Sequence, residues 1–125
     1  MRIATLLDAV RHHPEQLTFT GVMATISAHY HYTPTRFSNG IGHGQLINAA
    51  GTNEGSCRIF AFAMLHGLSE RETLALFGDY YRRDVLENPA GTDHANIRMF
   101  MRHGWQGIHF DASPLTPRVN ESSDN

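Results

Sequence analysis

Cysteine is nearly absent from this chain: Cys57 is the only one in 125 residues. No intramolecular disulfide can form, so the fold must hold without one, as suits a reducing compartment. Charge is sparse as well. Charged side chains make up 18% of the chain, and its 10 basic and 12 acidic residues are scattered rather than grouped. That pattern leaves no electrostatic footprint for a phosphate backbone, and nucleic acid is not expected as a partner. No stretch approaches the ~18 apolar residues of a membrane span, so no membrane partner is expected. The apolar start at Met1–Leu7 meets Asp8 and Arg11 too soon for a secretory signal peptide. Repeats and low-complexity tracts are missing too, and the length suits one domain of about 100–150 residues. The reading is a single domain over 1–111. A Ser/Asn/Asp-rich tail over 112–125, with little to bury, is expected to be disordered.

What is present is enough apolar residue for a core, 41% of the chain, together with nine histidines. Protonating all nine would carry the formal charge from -2 to +7, so any charge switch lies below neutral pH.

Apolar spacing predicts a first helix over about Ile3–His13, closed by Pro14. A second, capped by Thr18 or Thr20, reaches about Tyr30 before Thr33-Pro34. Helical periodicity is lost from Thr35 to Gly51, where Arg36-Phe37 and Gln45-Leu46-Ile47 are placed to pair as a small hairpin. A third helix is expected from Asn53 or Ser56 to His66, with Gly67 as its left-handed cap. Its run Ile59–Leu65 is apolar all round, which requires cover on most sides. Ser69-Glu70-Arg71-Glu72 is a capping box that opens another helix at once. Asp79-Tyr80-Tyr81 begins a further turn or two. A last helix is expected from Asp93, capped by Thr92-Asp93, to His103, followed by a short strand near Gly107–Phe110. The fold class expected is therefore α+β, predominantly α, with about five helices around a central buried one and a two- or three-stranded sheet. Phe62 should be among the side chains whose loss costs most, and the tail after Ala112 among the parts whose loss costs least.

Two segments together resemble the HopJ family of bacterial proteins, named as type III secretion effectors. The first is Asn48-Ala49-Ala50-Gly51-Thr52-Asn53-Glu54-Gly55-Ser56-Cys57-Arg58 and the apolar helix after it, to Ala63. The second runs from Gly67-Leu68-Ser69 through Phe77-Gly78-Asp79-Tyr80-Tyr81-Arg82-Arg83-Asp84 and Gly91-Thr92-Asp93-His94-Ala95-Asn96-Ile97-Arg98 to Trp105. The resemblance covers about Met1 to Phe110. It implies a bacterial cytoplasmic protein translocated into a host cell by type III secretion. Nothing in the resemblance implies a cofactor.

Three groups of residues carry candidate chemistry. Cys57 follows Gly55-Ser56 at a helix start, where the helix dipole favours a thiolate. With His94 as base and Asn96 or Asp93 as orienting group, it would make a small cysteine hydrolase or transferase. The competing reading is a buried, inert thiol at the head of an apolar helix. Asp93 and His94 fall at the two edges of an apolar arc centred on Ile97, Phe100 and Met101; the competing reading there is a cap and a rim histidine. Tyr80, Tyr81, Arg82 and Arg83, with Trp105, offer an aromatic, basic surface for a protein partner, or else simply core aromatics. No set of three or four His, Cys or carboxylate ligands has metal-binding spacing in the sequence, so no metal is expected.

Overall fold

The computed structural model describes residues 1–118. Helix α1 (Ile3–His12) buries Leu6 and Val10, one turn apart on a single stripe. Helix α2 (Phe19–His29) starts where the Thr18 hydroxyl accepts from the Gly21 amide at 3.0 Å. It ends at His29, and strand β1 (Tyr30–Tyr32) takes over the aromatic residues expected to close it. β2 (Phe37–Asn39) and β3 (Leu46–Asn48) form the expected hairpin, in antiparallel register Phe37↔Asn48. Helix α3 (Glu54–Leu65) follows, and its Gly67 has the expected left-handed φ of 62°. Helix α4 (Glu70–Ala75) opens on the capping box. Ser69 accepts from the Glu72 amide, and the Glu72 carboxylate accepts from the Ser69 amide. A π-helical turn spans Tyr80–Val85, marked by the Leu86 amide donating to the Tyr81 carbonyl five residues back. Helix α5 (Ala95–His103), β4 (His109–Phe110) and β5 (Leu115–Pro117) complete the described chain.

Two small antiparallel sheets result, β3-β2-β4 and β1-β5. The class is α+β and predominantly helical, as the sequence leads one to expect. Helix α3 is the centre. Ile59, Phe60, Ala61, Phe62 and Ala63 are all buried, and Phe60 meets Phe37, Phe77, Phe100 and Trp105 ring to ring. Its last turn departs from the all-round apolar expectation: Met64 and Leu65 face solvent.

The expected boundary at 111 is too early. Strand β5 pairs with β1 through Tyr30↔Pro117 and Tyr32↔Leu115, Leu115 is in the core, and the Arg118 amide donates to the His29 carbonyl. One apolar residue among prolines and polar groups was enough to anchor the segment, because β1 offered an unpaired edge. Truncation after Ala112 is therefore not silent. Leu115→Ala alone should cost about 2–5 kcal/mol, read as a lower urea midpoint. The rest of the tail expectation, over 119–125, lies outside the described residues.

His66, at the end of α3, shares a hydrogen bond of 2.7 Å with the Tyr30 hydroxyl through Nε2 and packs on Phe62. Burial holds its pKa below the ordinary 6.5. The unfolded chain then binds the proton more readily, so this group's contribution to stability is complete above pH 6.5 and is lost as pH falls below it. Thermal unfolding between pH 7.5 and 5.5 should show this loss, and His66→Gln should flatten the dependence in that window.

Candidate functional site

The segment from Asn48 to Ser56 turns sharply before α3. The Thr52 amide and hydroxyl both donate to the Ala49 carbonyl, and Asn53 takes a left-handed φ of 50°. Asparagine tolerates that conformation better than most residues. Its side chain donates to Asn48 Oδ1 at 2.7 Å. Asn48 and Asn96 then exchange hydrogen bonds at 3.1 and 2.9 Å, while Asn39 donates to the Asn96 carbonyl and Oδ1. Asn39, Asn48 and Asn96 are buried. This amide knot pins the β2–β3 hairpin, the start of α3 and the start of α5 to one another.

Helix α5 begins two residues later than the capping pattern predicts. Thr92-Asp93 is not its cap: His94 holds that position, at φ 50°, and no side chain caps the helix. Arg98 took the carboxylate instead. Its Nη2 lies 2.6 Å from Asp93 Oδ1, its Nε donates to the Asp93 carbonyl, and its Nη1 donates to the Asn88 carbonyl. The hydrogen bond from Arg98 holds the Asp93 carboxyl below the usual carboxylate range. The buried face also differs from the expected arc: Asn96 and Met99 are buried with Ile97 and Phe100, and Met101, placed in the apolar arc by the sequence, is exposed.

His94 Nε2 lies 2.9 Å from Asp84 Oδ2 and 3.9 Å from Asp93 Oδ2. The imidazole packs on Tyr80 at 5.0 Å between ring centroids, and Tyr80 meets Phe19 edge-on at 4.9 Å. Gly78 permits this approach: at φ 61°, an added Cβ would lie 2.8 Å from the Phe19 backbone nitrogen. A cleft of about 460 Å³ opens between these groups, lined by Phe19, Asn48, Asn53, Ser56, Tyr80 and His94 among others. A larger groove of about 540 Å³ lies where α1 faces α4. Its charged wall is already engaged in part, by the Arg11–Glu72 pair and by Arg82, which donates to the Pro14 and Leu17 carbonyls. The smaller cleft brings convergent polar side chains together, which makes it the better candidate.

The residues singled out from sequence divide accordingly. His94 lines the cleft, Asn96 lies in its wall, and Asp93 stands behind His94. Cys57 does not line it. The residue is 1% exposed, its thiol sits 3.8 Å from the Thr35 carbonyl, and burial pushes its pKa up. Burial outweighs the favourable helix start, so iodoacetamide should label native Cys57 more slowly than free cysteine at pH 7.5; labelling at or above the free rate would restore the nucleophile reading. The proposed aromatic patch is not one surface. Tyr80 lines the cleft, Tyr81 and Arg82 line the groove, and Arg83 is exposed. Trp105 packs on Phe60 and Phe100 and donates to the Leu68 carbonyl. Tyr81 turns from Tyr80 because neighbours on a helix do not share a face.

Sequence reasoning missed Asp84, Asn48, Asn53 and Ser56. The signal was present, since all four stand in the segments that carry the family resemblance.

A helical α+β fold built on a central buried helix, with an asparagine-pinned cleft at the heads of two helices, defines the class. The HopJ type III effector protein family model matches residues 3–115, and the chain belongs to that family. It is also similar to a crystal structure described as that of unknown function protein VPA0580, at 46% identity and a TM-score of 0.89 over 94% of this chain and 95% of that one. No curated protein matches the chain. Among the described residues, no helix is long and apolar enough to cross a membrane.

Proposed function

We propose that the protein is a translocated effector that acts by binding a protein partner, and that the cleft between Asn53 and His94 is where it does so. One observation carries this reading. The two segments through which the chain resembles its family, far apart in sequence, meet at this cleft: Asn48, Asn53 and Ser56 come from one, Tyr80, His94 and Asn96 from the other. Exposed Tyr80 and Ile47 stand on its walls, and a tyrosine beside convergent polar groups is the composition that concentrates binding energy in protein interfaces. The volume accepts one or two side chains of a partner.

Affinity capture from the producing bacterium and from host extract tests the reading. A specific partner captured by the full chain should be lost with Ile47→Asp and with Tyr80→Ala, both at exposed positions. Absence of any specific partner, or undiminished capture by both variants, would sink it. The cysteine-enzyme alternative has no comparable support, because the cleft is lined by Ser56 and not by the thiol beside it.

A further inference from the structure

We propose that Asp84, Asp93 and His94 form a binding site for a divalent transition-metal ion at the edge of the cleft. The inference deepens the reading of the cleft as the working surface and rests on the same geometry. One ligand atom from each residue, two carboxylate oxygens and one imidazole nitrogen, lies within 4.8 Å of the others. Zinc-like ions sit about 2.0–2.2 Å from such donors, which sets neighbouring donors roughly 3–3.5 Å apart. The His94–Asp84 separation of 2.9 Å, now a hydrogen bond, is just inside that spacing, and the His94–Asp93 separation of 3.9 Å just outside it, so a bound ion needs only small side-chain rotations.

The surroundings hold the donors in place. Arg98 takes Asp93 Oδ1, leaving Oδ2 toward the imidazole, and outer-shell bonds of this kind orient metal-bound carboxylates. Tyr80 packs on the imidazole ring. The positive φ of His94 turns that side chain back toward the π-helical turn, where Asp84 stands. Two carboxylates and Arg98 leave one net negative charge, enough to favour a divalent cation while keeping its affinity modest.

The donor set selects the class of ion. An imidazole with carboxylates suits Mn²⁺, Fe²⁺, Co²⁺ or Zn²⁺; the imidazole disfavours Ca²⁺ and Mg²⁺, and without a thiolate the site does not suit Cu⁺. Three protein donors leave at least one coordination position. Because His94 lines the cleft, that position is available to water or to an oxygen or nitrogen donor of whatever enters.

The full chain, freed of metal by chelation, would be titrated with Co²⁺ and followed by visible absorption, then with Mn²⁺ and followed by electron paramagnetic resonance. Saturable one-to-one binding is expected. It should weaken at least about tenfold in Asp84→Asn and in His94→Gln, with circular dichroism confirming that both variants fold. His43→Gln, at an exposed loop histidine, should bind as the native chain does. No saturable binding of either ion, or equal binding by the Asp84 and His94 variants, would overturn the proposal, the latter assigning the metal to other histidines. No metal binding by the native chain, with partner capture intact, would remove this inference alone. Metal binding without a partner would leave it standing and remove the partner reading.

Discussion

Phe60→Ala should destabilise the domain by about 3–5 kcal/mol, more than any other single truncation in the chain. Domains of this size have about 5–15 kcal/mol in all. Phe60 is fully buried near the middle of α3, and its ring contacts Phe77, Phe100 and Trp105 as well as Phe37 on β2. These partners come from four separate parts of the fold, so no single element can move in to fill the space. Phe62 is equally buried but meets a smaller aromatic set, Tyr30 and His66. Phe62→Ala should fall at the lower end of the same range. Urea denaturation of both variants checks the ranking. A near-neutral Phe60→Ala would mean that α3 is not the centre of the core.

That centre was legible in the sequence because Ile59–Ala63 has no polar interruption, and an unbroken apolar run on a helix admits one arrangement only. The capping box at Ser69-Glu72 was legible for a related reason: both partners lie within one turn, so local spacing decides the outcome. The start of α5 was not. Thr92-Asp93 is as good a cap by spacing, yet Arg98 competes for the same carboxylate with a charge-assisted bond, which is roughly twice as strong as a neutral one. Spacing alone does not show which acceptor wins. Strand β5 was not legible because its stability resides in the edge of β1, eighty-odd residues earlier. The cleft was half legible. His94 and Asn96 stand out in the sequence as polar residues beside an apolar arc, whereas Asp84 and Asn48 acquire meaning only when the π-helical turn and the hairpin bring them against α5.

Asn96 is where fold and site depend on one side chain, and Asn96→Ala should cost about 2–4 kcal/mol. The change leaves Asn48 Nδ2 with only the Phe37 carbonyl at 3.4 Å, and Asn39 Nδ2 with only the backbone carbonyl of residue 96. Each under-satisfied buried group costs about 1–3 kcal/mol. Asn96→Asp should be worse, although it is closest in shape: it places an oxygen against Asn48 Oδ1, 2.9 Å from the present donor, and buries a charge with no cation beside it. If the asparagines act as one unit, the loss in an Asn48→Ala/Asn96→Ala double variant should fall well short of the sum of the single losses. Urea denaturation of the set reads the coupling, and additive losses would show that the amides act independently. The knot also fixes Asn96, two residues after His94 in the first turn of α5. Amide hydrogen exchange of the first turn of α5 should therefore accelerate in Asn96→Ala by more than the change in global stability accounts for, while exchange in α1 follows the global change. Acceleration spread evenly over the chain would remove the link between the asparagine knot and the geometry of the cleft.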